Sequence, residues 1–323
     1  MHYKLLGTTG VKVSTLCFGT MSFGGDADEA TAAAMFHRCR EVGINFFDCA
    51  DVYAGGRSEE ILGKLIAGCR ADLILSTKFA GSTGSDINAH GTSRRHIRSA
   101  VEASLRRLGS DYIDVYFLHH LDPDTPMEQT LRALDDLVRE GKILYPAASN
   151  FAAWQVEKAL GLSTIRGWAR FECIQPMYNL AKRQAEVELL PMAQAEQLGV
   201  ITYSPLGAGL LTARYAGGRR PAEGRLFGNP NYQARYRDAA YYELADRFAE
   251  FARQRDIDPA SLAVAWVASH PGVTAPIIGA RNLDQLEGSL GCLKVDMTAE
   301  LRAEISALAP EPPPATDRSE ERA

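Results

Sequence analysis

Eight short apolar runs, each trailed by a longer amphipathic stretch, constrain this 323-residue chain more than any other feature. The runs are 14–20 (STLCFGT), 44–50 (INFFDCA), 73–79 (LILSTKF), 113–120 (IDVYFLHH), 143–149 (ILYPAAS), 171–176 (FECIQP), 200–205 (VITYSP) and 274–279 (TAPIIG). Runs of this length with near-continuous apolar character suit strands buried on both faces, and the spacing between them suits crossover helices. The first four helices are expected near 28–42, 58–68, 93–108 and 127–140. Gly43, Gly109, Gly141 and Gly199 fall where a helix end needs a left-handed residue. Eight β/α units in one chain predict a (β/α)8 TIM barrel rather than an open doubly wound sheet. The open sheet's dinucleotide fingerprint is missing, since FGTMSFGGD does not follow the G-x-G-x-x-G spacing.

Residues 3–14 (YKLLGTTGVKVS) read as a β-hairpin capping the barrel's N-terminal end. The barrel is expected to occupy 1–310 as one domain with long loops on its C-terminal face. The Gly- and Arg-rich stretch 213–238 is the longest irregular segment, and 311–323 reads as a disordered Pro-rich tail.

A net charge of −5 and no basic cluster argue against nucleic acid as a partner. No apolar stretch approaches the roughly 18 residues that span a bilayer. The six cysteines form no C-x-x-C pair, which points to reduced thiols and a cytoplasmic setting. The seven histidines show no metal-ligand spacing, so no metal site is expected. No self-association stripe stands out, and the oligomeric state stays open.

In a (β/α)8 barrel the C-terminal strand ends share one mouth. Strand two ends at Asp48, with Tyr53 five residues beyond; strand three ends at Lys78, and strand four at His119 and His120. A tyrosine with an ordinary pKa of about 10 needs help to exchange a proton near neutrality. An adjacent ammonium favours the phenolate, a carboxylate fixes that ammonium, and an imidazole can hold a substrate oxygen. Such a set is a general acid/base with an oxyanion partner, suited to redox chemistry at a carbonyl. A (β/α)8 hydrolase would need paired carboxylates or a metal cluster at the strand ends, and neither is present in the pattern.

The segments INFFDCADVYAGGRSEEILGKLI, LSTKF, IDVYFLHHLDPDTP, AASNF, QPMYNL, YSPLGAGLL and IIGARNLDQLEGSL resemble, in order, the signature segments of the aldo-keto reductases. The resemblance runs from about residue 3 to about 308 and is greatest to the branch that includes the potassium-channel β subunits. It implies Tyr53 as general acid/base, Asp48 and Lys78 as the pair that lowers its pKa, and His119 as the residue that positions a carbonyl. It implies an extended nicotinamide dinucleotide, with Gly19 and Thr20 near the nicotinamide. Ser149, Asn150 and Gln175 would hold the carboxamide, and Tyr203 would stack on the ring. Ser204, Leu206, Gly209 and Leu211 would follow the pyrophosphate, with Gly279, Arg281, Gln285 and Ser289 at the adenosine end. A guanidinium at Arg281 suits a 2′-phosphate, so NADPH (NADP+) is the expected cofactor. The substrate would be a small carbonyl or alcohol. Phe23, Trp168 and Tyr232 offer an apolar wall for it, while the arginines of 214–237 offer a site for an acidic or phosphorylated one; both remain open here. The alternative is a regulatory subunit that holds the dinucleotide as a redox ligand with little turnover.

Overall fold

A computed structural model describes residues 1–219, 221 and 224–316. A two-stranded antiparallel hairpin, β1 (Tyr3–Leu5) and β2 (Lys12–Ser14), precedes eight parallel strands. These are β3 (Cys17–Gly19), β4 (Phe46–Asp48), β5 (Ile74–Phe79), β6 (Ile113–Leu118), β7 (Ile143–Ser149), β8 (Cys173–Gln175), β9 (Gly199–Thr202) and β10 (Ala275–Ile278). They hydrogen-bond in the order β10-β3-β4-β5-β6-β7-β8-β9 and close into a barrel, as the eight apolar runs require. Twelve helices are described: α1 (Glu29–Glu41), α2 (Arg57–Ile66), α3 (Arg94–Leu108), α4 (Met127–Arg139), α5 (Ala153–Arg166), α6 (Leu189–Ala195), α7 (Arg225–Gly228), α8 (Pro230–Arg235), α9 (Ala239–Gln254), α10 (Pro259–Ala268), α11 (Leu283–Leu290) and α12 (Ala299–Ser306).

Side-chain alternation along each strand divides the interior into two compartments. Phe47, Leu75, Tyr116 and Leu118 point outward into the layer between strands and helices. Cys17, Phe46, Val115, Phe117, Ala147, Cys173, Ile201, Ala275 and Ile277 point inward and fill the barrel. The hairpin plugs the N-terminal end, adding Leu6 and Val13 to that inner cluster.

Gly199 departs from the expected helix-end role. It opens β9, and the left-handed position after α6 is taken by Gln197, with φ 54°. A Cβ at Gly199 would meet Leu6 Cδ1 at 2.5 Å, so its small size lets the hairpin seat. Gly43, Gly109 and Gly141 do take positive φ.

The stretch 213–238 is more ordered than its composition suggests. It contains a 3₁₀ turn (Ala216–Gly218), α7 and α8, and it closes a satellite core of Leu210, Tyr215, Leu226, Tyr236 and Ala245. Tyrosines spaced along an otherwise polar segment supply that core. Residues 311–316 carry no helix or strand, and 317–323, the rest of the expected tail, lie outside the described residues. No helix among the described residues is long and apolar enough to cross a membrane.

Candidate active site

The inward register decides which strand-end side chains enter the mouth. Two residues past an inward apolar residue comes another inward one, so Phe46 leads to Asp48, Ile74 through Ser76 to Lys78, and Phe117 to His119. The same step takes Cys17 to Gly19, Ala147 to Ser149, Cys173 to Gln175, Ile201 to Tyr203 and Ile277 to Gly279. Eight strands thus deliver eight polar or small groups to one face.

Lys78 is fully buried and donates from Nζ to Asp48 Oδ2 at 2.5 Å and to the Cys49 carbonyl at 2.6 Å. The Tyr53 hydroxyl lies 3.4 Å from the same nitrogen. Asp48 also accepts from Ser76 Oγ at 2.7 Å and Gln175 Nε2 at 3.1 Å, so the carboxylate is held by three side chains from β5 and β8. Tyr53 comes from the loop after β4, where Ala54, Gly55 and Gly56 are all left-handed (φ 47°, 63° and 94°). That reversal turns the chain from the mouth into α2, and two glycines keep its strain low. The His119 ring stands edge-on to Tyr53, with centroids 6.2 Å apart.

Burial raises the Tyr53 hydroxyl and Lys78 pulls it back, with a net push up to about 12. The expected lowering by Lys78 is present, then, but desolvation outweighs it, and Tyr53 is a phenol at neutral pH. Burial works against charge on Lys78, yet its carboxylate partner Asp48 outweighs it and the ammonium is stabilised. His119 is held down to about 3 by burial and by Lys78, so its imidazole is neutral. The result is a proton donor, a fixed cation beneath it and a neutral hydrogen-bonding ring beside it.

A cavity of about 550 Å³ runs from these groups outward. Gly19, Asp48, Tyr53, His119, Ser149, Asn150, Gln175 and Tyr203 line its inner end. Ser204, Leu206 and Gly209 line it further along, and Gly279, Arg281 and Gln285 line it on the side of β10 and α11. Asn150 Nδ2 donates to the His119 carbonyl at 2.9 Å and accepts at Oδ1 from the Tyr203 hydroxyl at 2.7 Å, bracing the inner wall. Ser149 Oγ donates to the Gln175 carbonyl at 3.0 Å.

Four expected residues do not line the cavity. Lys78 lies beneath Tyr53. Thr20 is buried, donating to the Asp48 carbonyl and accepting from Ser58 Oγ at 2.9 Å. Leu211 joins the helix-side core, and Ser289 is buried with no hydrogen-bond partner for its hydroxyl among the described residues. Along the Ser204–Leu211 turn, the Gly209 and Leu211 N–H groups both donate to the Leu206 carbonyl, so the chain itself uses them. Gln285 Oε1 accepts from the Arg281 N–H, and Arg281 Nε meets Asp26 Oδ2 at 3.1 Å. Of the three candidate wall aromatics only Tyr232 lines the cavity; Phe23 is fully buried against Phe18, and Trp168 packs on the helix-side core. His120 is exposed and turns to the Leu121 carbonyl.

Met21, Ser22, Thr212 and Asp258, which the sequence reading did not single out, also line the cavity, and so do Arg214 and Arg235, two of the arginines of 214–237 offered there for an acidic substrate. Asp258 stands directly before Pro259, a helix-start pattern, and it caps α10 through Ser261.

The family model described as the aldo/keto reductase family matches residues 15–310. The chain belongs to the aldo/keto reductase family. Within it, the chain is 36% identical to a probable voltage-gated potassium channel subunit beta of Oryza sativa subsp. japonica, covering 98% of this chain and 99% of that one. It is 34% identical to an uncharacterized oxidoreductase of Bacillus subtilis, over 97% of both chains. Versiconal hemiacetal acetate reductase of Aspergillus parasiticus is 32% identical, over 93% of this chain and 94% of its own. Aldo/keto reductase relatives thus include both named reductases and channel-associated subunits.

Proposed function

We propose that the protein is an NADPH-dependent reductase of aldehydes or ketones, reversible toward the alcohol. One observation carries this reading: Lys78 Nζ sits between Asp48 Oδ2 at 2.5 Å and the Tyr53 hydroxyl at 3.4 Å, at the inner end of an extended cavity. A carbonyl oxygen placed between Tyr53 and His119 accepts the phenolic proton as it gains negative charge. The neutral His119 ring donates a hydrogen bond to the same oxygen. The phenolate left on Tyr53 is stabilised by the Lys78 ammonium, which Asp48 keeps charged and in place.

The residues present suit a dinucleotide. Gln175 uses its amide N–H on Asp48 and keeps its carbonyl oxygen for a carboxamide. Tyr203 is braced by Asn150 and offers its ring face to a planar group. Ser289 Oγ, next in the chain to the cavity-lining Gly288, is a buried polar atom with no partner among the described residues. Among the described residues Arg281 pairs only through Nε, with Asp26, leaving its terminal nitrogens for a 2′-phosphate. When bound, the reduced nicotinamide supplies the hydride that this proton transfer accompanies. The free thiols suit a reducing, cytoplasmic compartment.

The test is NADPH absorbance followed over a panel of small aldehydes and ketones. Multiple turnovers that Tyr53→Phe abolishes would support the reductase. Tight NADPH binding without turnover on any carbonyl would instead favour a dinucleotide-holding subunit, a role that the likeness to channel β subunits brings into view.

A further inference from the structure

Two cations at the mouth, Arg214 and Arg235, remain unused by the chemistry above, and Arg235 is the more buried of the two. Arg235, the last residue of α8, lines the same cavity as Tyr53 and His119. It is half-buried, and its guanidinium carbon lies 5.1 Å from the centre of the Tyr232 ring, which lines the cavity too. Among the described residues the other part-buried arginines meet carboxylates, as Arg70 meets Asp114 at 2.7 Å, Arg107 Glu59 at 2.6 Å and Arg183 Glu186 at 2.9 Å, except Arg302, which spends its guanidinium on the Trp266 carbonyl and the Ser269 and Tyr178 hydroxyls. Arg235 has no carboxylate among the described residues. The acids that share its cavity are engaged elsewhere, Asp48 with Lys78 and Asp258 with Ser261, while Asp284 stands at the α11 end with Arg281. A part-desolvated guanidinium without a counter-charge is costly to the free protein and favourable to an anion that reaches it.

Its position is tied to the reacting end of the cavity. Tyr236, fully buried, anchors α8 through Asn179 Nδ2 at 3.2 Å, and Asn179 in turn donates to the Ser204 carbonyl at 2.9 Å, just past β9. Burial raises the Tyr203 hydroxyl, and Arg235 lies close enough to pull it back. Tyr203 is bonded to Asn150, and Asn150 to the His119 carbonyl. The Tyr232–Arg235 pair therefore lines the same cavity as His119 and is linked to it through Tyr203 and Asn150.

Building on the reductase reading, we infer that Tyr232 and Arg235 form a substrate subsite that selects carbonyl compounds carrying an anionic group, foremost an aromatic or extended aldehyde with a carboxylate. Tyr232 covers the apolar body, and Arg235 binds the carboxylate in its planar fork. Anionic chemistry could reach Arg235 from the cofactor's own pyrophosphate as well, and the experiment separates the two sources.

With NADPH saturating, 4-carboxybenzaldehyde and its neutral analogue 4-methylbenzaldehyde are compared in wild type, Arg235→Gln and Arg235→Lys. Arg235→Gln is expected to lower kcat/KM for the carboxylate by about 30-fold, chiefly through KM, in the range of one charge-assisted bidentate contact. The neutral aldehyde and the NADPH Kd, read by fluorescence, should change by less than about twofold, and Arg235→Lys should keep part of the selectivity. Equal losses on both aldehydes overturn the subsite, and so does a loss confined to NADPH binding, which assigns Arg235 to the cofactor. Calorimetric binding of 4-methylbenzoate to the NADP+-saturated protein gives a readout free of turnover. If wild type reduces no aldehyde yet binds the benzoate only while Arg235 is present, the reductase reading falls and the anion subsite stands.

Discussion

Replacing Lys78 by methionine tests the electrostatics of the candidate site directly. The ammonium lies 3.4 Å from the Tyr53 hydroxyl. With an effective dielectric near 20, that distance corresponds to about 5 kcal/mol of attraction for a full phenolate charge. At roughly 1.4 kcal/mol per decade, Lys78→Met should lower kcat by between about three and four orders of magnitude. The same change strands Asp48, 2% exposed, with two neutral donors in place of a cation. Losing one side of a buried ion pair costs about 3–5 kcal/mol, so the apparent Tm should fall by roughly 5–10 °C. Adding Asp48→Asn removes the orphaned charge, and the double variant should regain most of the lost stability while staying inactive. Stopped-flow and steady-state NADPH oxidation give the rates, and thermal melts give the stability. A Lys78→Met enzyme within tenfold of wild type, or a double variant that regains both stability and rate, would refute the assignment of Lys78 as the cation that stabilises the phenolate.

Arg281→Ala should weaken NADPH by at least about tenfold with little effect on NADH. Asp26→Asn, which frees Arg281 of its carboxylate, should tighten NADPH a few-fold; binding titrations with both dinucleotides check the opposite signs. Asp51 is buried with neither carboxylate oxygen bonded among the described residues, and burial, then the nearby Glu59, push its pKa up to about 7. The folded protein therefore holds a proton that the unfolded chain releases near pH 4, and that stability is lost as pH rises through about 7, amounting to about 4 kcal/mol at most. In urea melts Asp51→Asn should gain on wild type by roughly 2–3 kcal/mol more at pH 8 than at pH 5; an equal difference at both would contradict the buried-acid account. His119, held down to about 3, should add no acid limb to kcat/KM between pH 5 and 8, whereas a limb that His119→Gln removes would mean that the ring titrates.

The strand count, and with it the barrel, was legible because parallel strands buried on both faces must be apolar throughout, and eight such runs have few other ways to be covered. Asp48, Lys78 and His119 were legible for the same reason, each being a polar residue closing an apolar run. Gly199 was misread because a glycine after a helix and a glycine under a packed side chain look alike until Leu6 is seen above it. The segment 213–238 was misread as a loop because its core of Tyr215, Leu226 and Tyr236 is dispersed, without a helical or strand period.

Periodicity, a local property of the chain, was enough to specify how many strands form, which face each side chain takes and which polar groups reach one mouth. Only the folded molecule decided that burial would hold Tyr53 as a phenol over a charged Lys78, that Asp26 would meet Arg281, and that Arg235 would stand over Tyr232 with no carboxylate among the described residues. Desolvation and charge pairing depend on groups far apart in the chain and close in space, and no local pattern carries them.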